Sequence, residues 1–309
     1  MSALTSHTVS AGHWLEAARL KFLPQGVMPV FIAGAIAWSQ NLFEPSHFLI
    51  ALVAAAAVQM GLTMFNDTLD FAYGTDRRKG EASNPFSGGS GVLTSGSIKP
   101  RQAIAVIVSL YVFALACAIY LAVVVDERTM WLAVLGALIS IFYSAKPFRF
   151  AYRGLGEFMM FLGYGPVLTA WAYFVISGSL SPAILLVGAI PGLLMWAMIL
   201  INEIPDYEED REAGKKNIVY RLGTCSTKNL LVASLAAIYV YILALIVAGV
   251  LPVAALLALA GIPLAVMAGR AAHRFYNDPL KVAAANRLMV YIYSATTAAI
   301  AIGYIIQNG

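Results

Sequence analysis

Nine long apolar runs divide this chain, and each is close to the length of a helix that crosses a bilayer. A hydrocarbon core of about 30 Å needs about 20 apolar residues in a helix. The runs lie at residues 23–40, 47–65, 102–124, 129–145, 156–176, 183–201, 229–249, 251–269 and 288–307. Because apolar residues are continuous rather than alternating with polar ones, the runs predict membrane helices and not barrel strands.

The composition agrees with an integral membrane protein. Of the 309 residues, 60% are hydrophobic and only 12% are charged, whereas soluble domains are nearer half apolar and a quarter charged. These figures exclude a soluble globular protein, a disordered chain and a basic nucleic-acid-binding protein. The predicted fold class is all-α, with about nine transmembrane helices in a single domain over residues 1–309. Residues 1–20 are expected to form a short cytosolic N-terminal segment.

The charges predict the orientation of the helices. Nineteen of the 20 Lys and Arg residues fall in the N-terminal segment and in the loops after spans 2, 4, 6 and 8. By the positive-inside rule this face is cytoplasmic, and the C-terminus lies on the opposite side. Thirteen of the 16 Asp and Glu residues share that face, although acids contribute little to topology. Their clustering therefore indicates a functional site at the cytoplasmic mouth.

Two acidic motifs begin where spans 2 and 6 end. They comprise Asn66, Asp67, Asp70 and Asp76 in the first, and Asn202, Asp206 and Asp210 in the second. If each helix continues past the membrane boundary, residues four apart share one face, except where Pro205 would kink the second. Oxygen ligands without His or Cys suit a hard cation, Mg²⁺ first, which also takes water and phosphate oxygens.

Basic residues follow both acidic motifs, at 77–79 after the first and at Lys215, Lys216 and Arg221 after the second. Acids for a metal beside bases for an anion predict a diphosphate site. The glycine-rich segment 84–91 lies between spans 2 and 3. Its composition leaves open an anion-binding nest, a mobile lid and a plain flexible connector.

These motifs, in this order, resemble the UbiA superfamily of intramembrane prenyltransferases over nearly the whole chain. Several stretches look most like the branch that prenylates 1,4-dihydroxy-2-naphthoate in menaquinone biosynthesis. In chain order, these stretches are the first acidic motif, residues 90–93 and Gly96, residues 143–144, residues 152–157, residues 165–166, and the second acidic motif. The resemblance continues after the second motif through Lys215 to residues 221–223. Relatives that use 4-hydroxybenzoate carry a third acid where this chain has Gly74, and the next acid here is Asp76, as in the naphthoate branch.

The resemblance implies helices around a central cavity and transfer of a polyprenyl group from a polyprenyl diphosphate to an aromatic acceptor. Two Mg²⁺ ions would be held by Asn66, Asp67, Asp70, Asp76, Asn202, Asp206 and Asp210, with Asp70 and Asp206 central to catalysis. Diphosphate contacts are expected from Arg77, Lys215 and Arg153. Tyr143 would stabilise an allylic cation through its ring or orient the acceptor, unless it is an interfacial anchor. Glu157 is either functional or paired with Arg153.

Two alternatives stay open. One is a UbiA-type enzyme with another acceptor, either 4-hydroxybenzoate or a lipid glycerol phosphate. The other is a transporter of divalent cations or organic anions, which acids at the membrane boundary would suit. Against transport, the acids lie at one end and the opposite half is almost free of charge. The expected partners are a polyprenyl diphosphate, an aromatic acceptor and the lipid bilayer, with no nucleic acid. The oligomeric state is left undetermined.

Overall fold

The computed structural model describes residues 9–74 and 84–307, and within these ranges the chain is helical and contains no β-strand. Twelve α-helices account for most of it. They are α1 (Ala11–Ala18), α2 (Leu23–Ser39), α3 (Pro45–Tyr73), α4 (Pro100–Val124), α5 (Thr129–Ser144), α6 (Gly156–Leu162), α7 (Leu168–Ser177), α8 (Pro182–Glu203), α9 (Tyr207–Glu212), α10 (Ile218–Val247), α11 (Ile262–Phe275) and α12 (Ala283–Gln307).

Eight helical segments of the described ranges are long and apolar enough to cross a membrane, and α5 adds a shorter apolar helix of 16 residues. They follow the order of the nine predicted runs, so the prediction of an all-α membrane protein with about nine spans is confirmed. The predicted boundaries are least accurate at the charged end. There α3 continues from residue 65 to Tyr73, and α10 begins at Ile218 rather than at residue 229.

The length of α3 carries Asn66, Asp67 and Asp70 beyond the apolar part of the helix. Its 29 residues correspond to about 43 Å at 1.5 Å per residue, which exceeds a hydrocarbon core of about 30 Å. The last turns, with Asn66 and Asp70, therefore project past the apolar region. Gly74 ends the helix with φ 86°, where its N–H bonds to the carbonyls of Asp70 and Phe71. A side chain there would favour a different backbone conformation.

The second acidic motif does not continue α8. That helix ends at Glu203, and a new short helix, α9, begins after Asp206, which occupies its N-cap position. Pro205 lies in the break, because a proline ring removes one backbone donor and clashes with the preceding turn of a helix. The helix therefore does not continue past Pro205, and the single stripe that a continuous helix would form through Asn202, Asp206 and Asp210 is absent. Asn66 and Asp70, by contrast, share one face of α3, four residues apart.

Close glycine packing holds α8 against the fifth span. That span consists of α6 and α7 joined by a π-helical turn, Gly163–Val167. A Cβ atom on Gly165 would lie 2.6 Å from the carbonyl oxygen of Gly188 and 2.6 Å from Cα of Gly192. Small residues thus let the two backbones approach, as is common between membrane helices. The result is that α8, the most buried span, lies at the centre of the bundle.

Candidate active site

The described residues of both acidic motifs line one polar cavity of about 140 Å³ at the charged end of the helices. The first motif reaches it from the last turns of α3, and the second from the end of α8 and from α9. The predicted site residues among its lining are Asn66, Asp67, Asp70, Tyr143, Asn202, Asp206, Asp210 and Lys215. Tertiary packing therefore brings together two motifs that are more than a hundred residues apart.

Neighbouring hydroxyl groups orient the first motif. The Asn66 side-chain amide donates to Asp70 Oδ2 at 3.3 Å, and the Ser144 hydroxyl donates to Asn66 Oδ1. The Tyr152 hydroxyl donates to Asp70 Oδ1 at 2.8 Å. Both Tyr152 and Asp70 are buried. The side-chain oxygens of α3 are thus held in defined directions before any ligand binds.

The glycine-rich segment 84–91 connects the two motifs across the cavity. The backbone N–H of Ser90 donates to Asp67 at 2.7 Å, and that of Gly88 donates to Asp206 at 2.7 Å. Arg19 donates to the carbonyl of Gly88 at 2.6 Å and lies 3.5 Å from Asp67. Of the three roles left open by the sequence, these contacts argue against a plain flexible connector, because the segment is docked on the acidic residues.

Asp210 and Lys215 form a buried ion pair at the cavity wall. Lys215 Nζ lies 3.4 Å from Asp210 Oδ1, and the Asn217 side-chain amide donates to Oδ2 at 2.8 Å. Burial raises the pKa of Asp210 to about 7, although the Lys215 ammonium lowers it. Burial also opposes charge on Lys215, but attraction by Asp210 and Asp70 outweighs it and raises the pKa of Lys215 well above its ordinary value. Lys215 is therefore a cation at neutral pH.

The raised pKa predicts how stability depends on pH in the metal-free protein. Between pH 3.8, the ordinary pKa, and about 7, the folded state holds more protons than the unfolded state, so the free energy of unfolding falls as pH rises. Asp210→Asn, which stays neutral, is expected to flatten this slope. Thermal unfolding midpoints in detergent from pH 4.5 to pH 8 measure it. The matched control is Asp278→Asn, at a partly exposed acid with a lowered pKa. A slope unchanged by Asp210→Asn would contradict the prediction.

The polar cavity adjoins an apolar chamber of about 200 Å³ between α3, α4, α5 and the fifth span. The residues that line both spaces are Gln59, Leu62, Tyr143, Met160 and Tyr164. Tyr143 is only 6% exposed, so it is a wall of this junction and not an interfacial anchor. Beyond it the chamber is lined mainly by apolar side chains, including Ala114, Ala118 and Val167.

The remaining predicted site residues have different positions. Asp76 and Arg77 lie outside the described residues. Arg153 is exposed, and its guanidinium donates to the carbonyl of Pro147 at 3.0 Å. The structure therefore does not bring Arg153 to the cavity, because the preceding residue, Tyr152, is the one that turns inward to Asp70.

Several residues that line the cavity lie outside the motifs that the sequence indicates as a site. Arg19 was considered only for orientation, yet it lines the cavity. Gln25 and Gln59 also line it, and an uncharged amide inside an apolar span is a signal that could have found them. Glu203 is another buried lining residue, and its carboxyl group contacts that of Glu157. Glu157 also accepts a hydrogen bond from the backbone N–H of Ile218, so the expected pairing with Arg153 is replaced.

Comparisons with known proteins agree with one another. The model of the UbiA prenyltransferase family matches residues 27–300. The chain is 31% identical over 222 residues to 1,4-dihydroxy-2-naphthoate octaprenyltransferase of Escherichia coli, covering 70% of each chain. It is 25% identical to 2-carboxy-1,4-naphthoquinone phytyltransferase of Synechocystis, over 94% of this chain and 92% of the relative.

Solved structures have the same fold. A UbiA homologue from Aeropyrum pernix superposes with a TM-score of 0.71 at 19% identity, over 90% of this chain and 97% of the other. A UbiA homologue from Archaeoglobus fulgidus bound to GPP and Mg²⁺ superposes with a TM-score of 0.66 at 16% identity, over 96% and 99% of the two chains. At these identities the likeness concerns the fold.

Proposed function

Since the chain belongs to the UbiA prenyltransferase family and is therefore a membrane prenyltransferase, we propose that it transfers a polyprenyl group to 1,4-dihydroxy-2-naphthoate. The donor is a polyprenyl diphosphate, the released product is diphosphate, and Mg²⁺ is the divalent cation. One observation carries the proposal. A polar cavity lined by the described residues of both acidic motifs adjoins an apolar chamber, and Tyr143 lines both spaces. A diphosphate with a long hydrocarbon tail has these same two parts.

The donor atoms around the cavity fit a hard cation that is shared with phosphate. Asp67, Asp70 and Asp210 are each less than 10% exposed, and like-charged buried carboxylates need positive charge between them. In the ligand-free arrangement of the described residues, no three His, Cys, Asp or Glu side chains already surround a single metal position. Amide oxygens, water and phosphate oxygens would complete the ligands, which is the coordination that Mg²⁺ prefers.

We assign metal binding to the two motifs. Asp70, Asp206, Asp210 and Asn66 would hold the cations, with Asp67, Asn202 and Asp76 as further ligands or supports. When bound, Mg²⁺ supplies Lewis-acid neutralisation of the leaving diphosphate. Asn202 accepts a hydrogen bond from the Asn286 amide at 2.8 Å, which keeps its oxygen directed to that amide in the ligand-free protein.

Cationic side chains would bind the diphosphate itself. Lys215 lines the cavity and carries its charge at neutral pH. Arg19 lines the same cavity on the side of Asp67, so it replaces Arg153 among the proposed contacts, and Arg77 remains a proposal. The attraction of Lys215 and Arg19 for the diphosphate would increase as negative charge develops on it, because the surroundings are buried and of low dielectric.

The junction would protect the reacting carbon. As the C–O bond of the donor breaks, the electron pair leaves with diphosphate and an allylic cation forms. The ring of Tyr143, at the mouth of the chamber, can stabilise that cation through its π face. An electron-rich ring carbon of the acceptor then forms the new C–C bond, and loss of a proton from that carbon restores aromaticity. The apolar chamber holds the tail and excludes water.

The acceptor assignment is supported by the relatives named as 1,4-dihydroxy-2-naphthoate octaprenyltransferases at 24–31% identity. Two further acceptor classes, 4-hydroxybenzoate and lipid glycerol phosphates, form the test panel. We also propose that residues 1–309 form one catalytic domain whose cavity and N-terminus face the cytoplasm, with the C-terminus opposite. This orientation is supported by the 19 basic residues in the N-terminal segment and in the loops after spans 2, 4, 6 and 8.

The proposed function predicts strict dependence on a divalent cation and on the acceptor. Purified protein in lipid nanodiscs is expected to release diphosphate from a polyprenyl diphosphate only with Mg²⁺ and 1,4-dihydroxy-2-naphthoate, and EDTA is expected to lower the rate at least about 100-fold. Mass spectrometry of the products identifies the prenylated acceptor. Prenylation of 4-hydroxybenzoate or of a lipid glycerol phosphate in place of the naphthoate would overturn the acceptor assignment. Turnover unaffected by EDTA would overturn the proposed metal dependence.

A further inference from the structure

A buried amide in the cavity wall has an unused hydrogen-bond acceptor. Gln25, near the start of α2, is 1% exposed and lines the polar cavity. Its NH₂ group donates to the thioether sulfur of Met198 at 3.0 Å. Within the described ranges, no residue donates to its Oε1 atom, although that atom is buried. A thioether sulfur is a weak acceptor and cannot donate, so the side-chain amide of Gln25 turns its NH₂ group toward Met198. Its carbonyl oxygen is then the atom without a hydrogen-bond donor among the described residues.

A second glutamine lines the same cavity and packs against Gly26, the residue that follows Gln25. Gln59 of α3 is 5% exposed and lines both the polar cavity and the apolar chamber. Its Oε1 accepts from the Tyr164 hydroxyl at 2.6 Å, and the contact of its NH₂ group in the described part of the chain is with the Thr63 hydroxyl, at a long 3.4 Å. A Cβ on Gly26 would lie 2.6 Å from Cβ of Gln59. The missing side chain at Gly26 is thus what lets Gln59 lie against the turn that carries Gln25.

The two amides have complementary unused capacity. Among the described residues, the Oε1 atom of Gln25 accepts no hydrogen bond, and the NH₂ group of Gln59 makes one long hydrogen bond, to Thr63. A hydroxyl group has the chemistry that both amides lack, because it donates one hydrogen bond and accepts others. Leaving a buried carbonyl without a donor costs free energy, so the pair is built to receive a ligand that carries such a group.

We infer that Gln25 and Gln59 form the binding site for a ring hydroxyl of the aromatic acceptor. The O–H would donate to Gln25 Oε1, and its oxygen would accept from Gln59 Nε2. This inference rests on the proposed function, and it adds what the acidic motifs do not supply: a means to recognise the acceptor. Both residues orient the ring and take no part in breaking or forming bonds.

The position of the pair in the cavity agrees with this role. Gln59 precedes Asn66 by seven residues on the same helix, which places it two turns, or about 10 Å, deeper than the first acidic ligand. That depth lies below the diphosphate and at the mouth of the chamber. An isoprene unit there would leave Gln25 Oε1 without a donor, because a hydrocarbon has none. A diphosphate would also leave it so, because ionised phosphate oxygens only accept.

The test compares acceptors that differ by one hydrogen-bond donor. The two monomethyl ethers of 1,4-dihydroxy-2-naphthoate keep the electron-rich ring and the oxygen but lose one O–H each. Wild-type protein is expected to discriminate against one ether by about 10- to 100-fold in kcat/KM, as expected for loss of a buried hydrogen bond. In Gln25→Met, which has nearly the same shape but no carbonyl, this discrimination is expected to fall to about twofold. The KM for the polyprenyl diphosphate stays unchanged.

Two further variants separate recognition from folding. Gln25→Glu keeps an acceptor oxygen and is expected to retain the preference for the diol. Gln40→Met makes the same substitution at the exposed far end of α2, where Gln40 accepts from the Tyr173 hydroxyl, and it is expected to behave as wild type. Thermal unfolding midpoints of all variants are recorded in parallel.

The outcomes are distinguishable. The inference is overturned if wild type accepts the diol and both ethers equally, if Gln25→Met keeps the discrimination, or if it changes the KM of the donor instead. A water molecule or a purely structural role at this site would slow all acceptors to the same extent, and that result also overturns it. If wild type prenylates none of the aromatic compounds, the proposed function itself has failed.

Discussion

Asp70→Asn and Asp206→Asn are each expected to lower the rate of diphosphate release at saturating donor by at least about 100-fold, while the protein remains folded. Each substitution keeps the size of the side chain and one oxygen, so the hydrogen bonds from Tyr152 to position 70 and from Gly88 to position 206 can persist. What is lost is the negative charge that binds the cation. The measurement is diphosphate release in nanodiscs across a Mg²⁺ titration.

A matched control lies two residues from Asp206. The carboxylate of Glu208 is 68% exposed and pairs with Arg211 at 3.2 Å on the surface of α9, so Glu208→Gln removes the same charge outside the cavity. It is expected to retain activity within about twofold, because exposed ion pairs contribute little. Full activity in either aspartate variant, or an equal loss in Glu208→Gln, would refute the assignment of the two motifs as metal sites.

Gly192→Ala is expected to lower the stability of the bundle strongly, because the added methyl group would meet backbone atoms of the fifth span. The new Cβ would lie 2.5 Å from the carbonyl oxygen of Phe161 and 3.2 Å from Cα of Gly165. Because backbone atoms cannot rotate away as a side chain can, α8 and the fifth span must separate. Overpacking of this kind costs about 3 kcal/mol or slightly more, which lowers the thermal unfolding midpoint by roughly 6 °C or more in a chain of this size.

The control is a glycine in a membrane helix with room for a methyl group. A Cβ on Gly136 of α5 would lie 3.8 Å from Val167 Cγ1, an ordinary contact, and alanine is the better helix former. Gly136→Ala is therefore expected to unfold at the wild-type temperature or slightly above it. Equal midpoints for the two alanine variants would show that α8 and the fifth span leave room for a methyl group at position 192, which would contradict the close contact with Phe161.

The second acidic motif shows how far local sequence rules extend. Proline at position 205 predicts a break, and the structure ends α8 at Glu203 and starts α9 after Asp206. Helical periodicity alone therefore predicts the first motif well and the second poorly. Arg153 shows a different limit. Its neighbour Tyr152 faces Asp70 while Arg153 is exposed, and residue spacing cannot decide which side chain of a turn faces inward.

What the sequence by itself determined is the set of properties that depend on stretches of 20 residues or fewer: the number of spans, their all-helical character, and the oxygen-rich motifs at their ends. Each follows from local hydrophobicity or local spacing. Only the tertiary structure decided which side chains share the cavity. Gln25 of α2 contacts Met198 of α8, and Gln59 of α3 packs against α2 where Gly26 has no side chain. Such a meeting depends on helix faces that no single segment encodes, because packing is a property of pairs of helices.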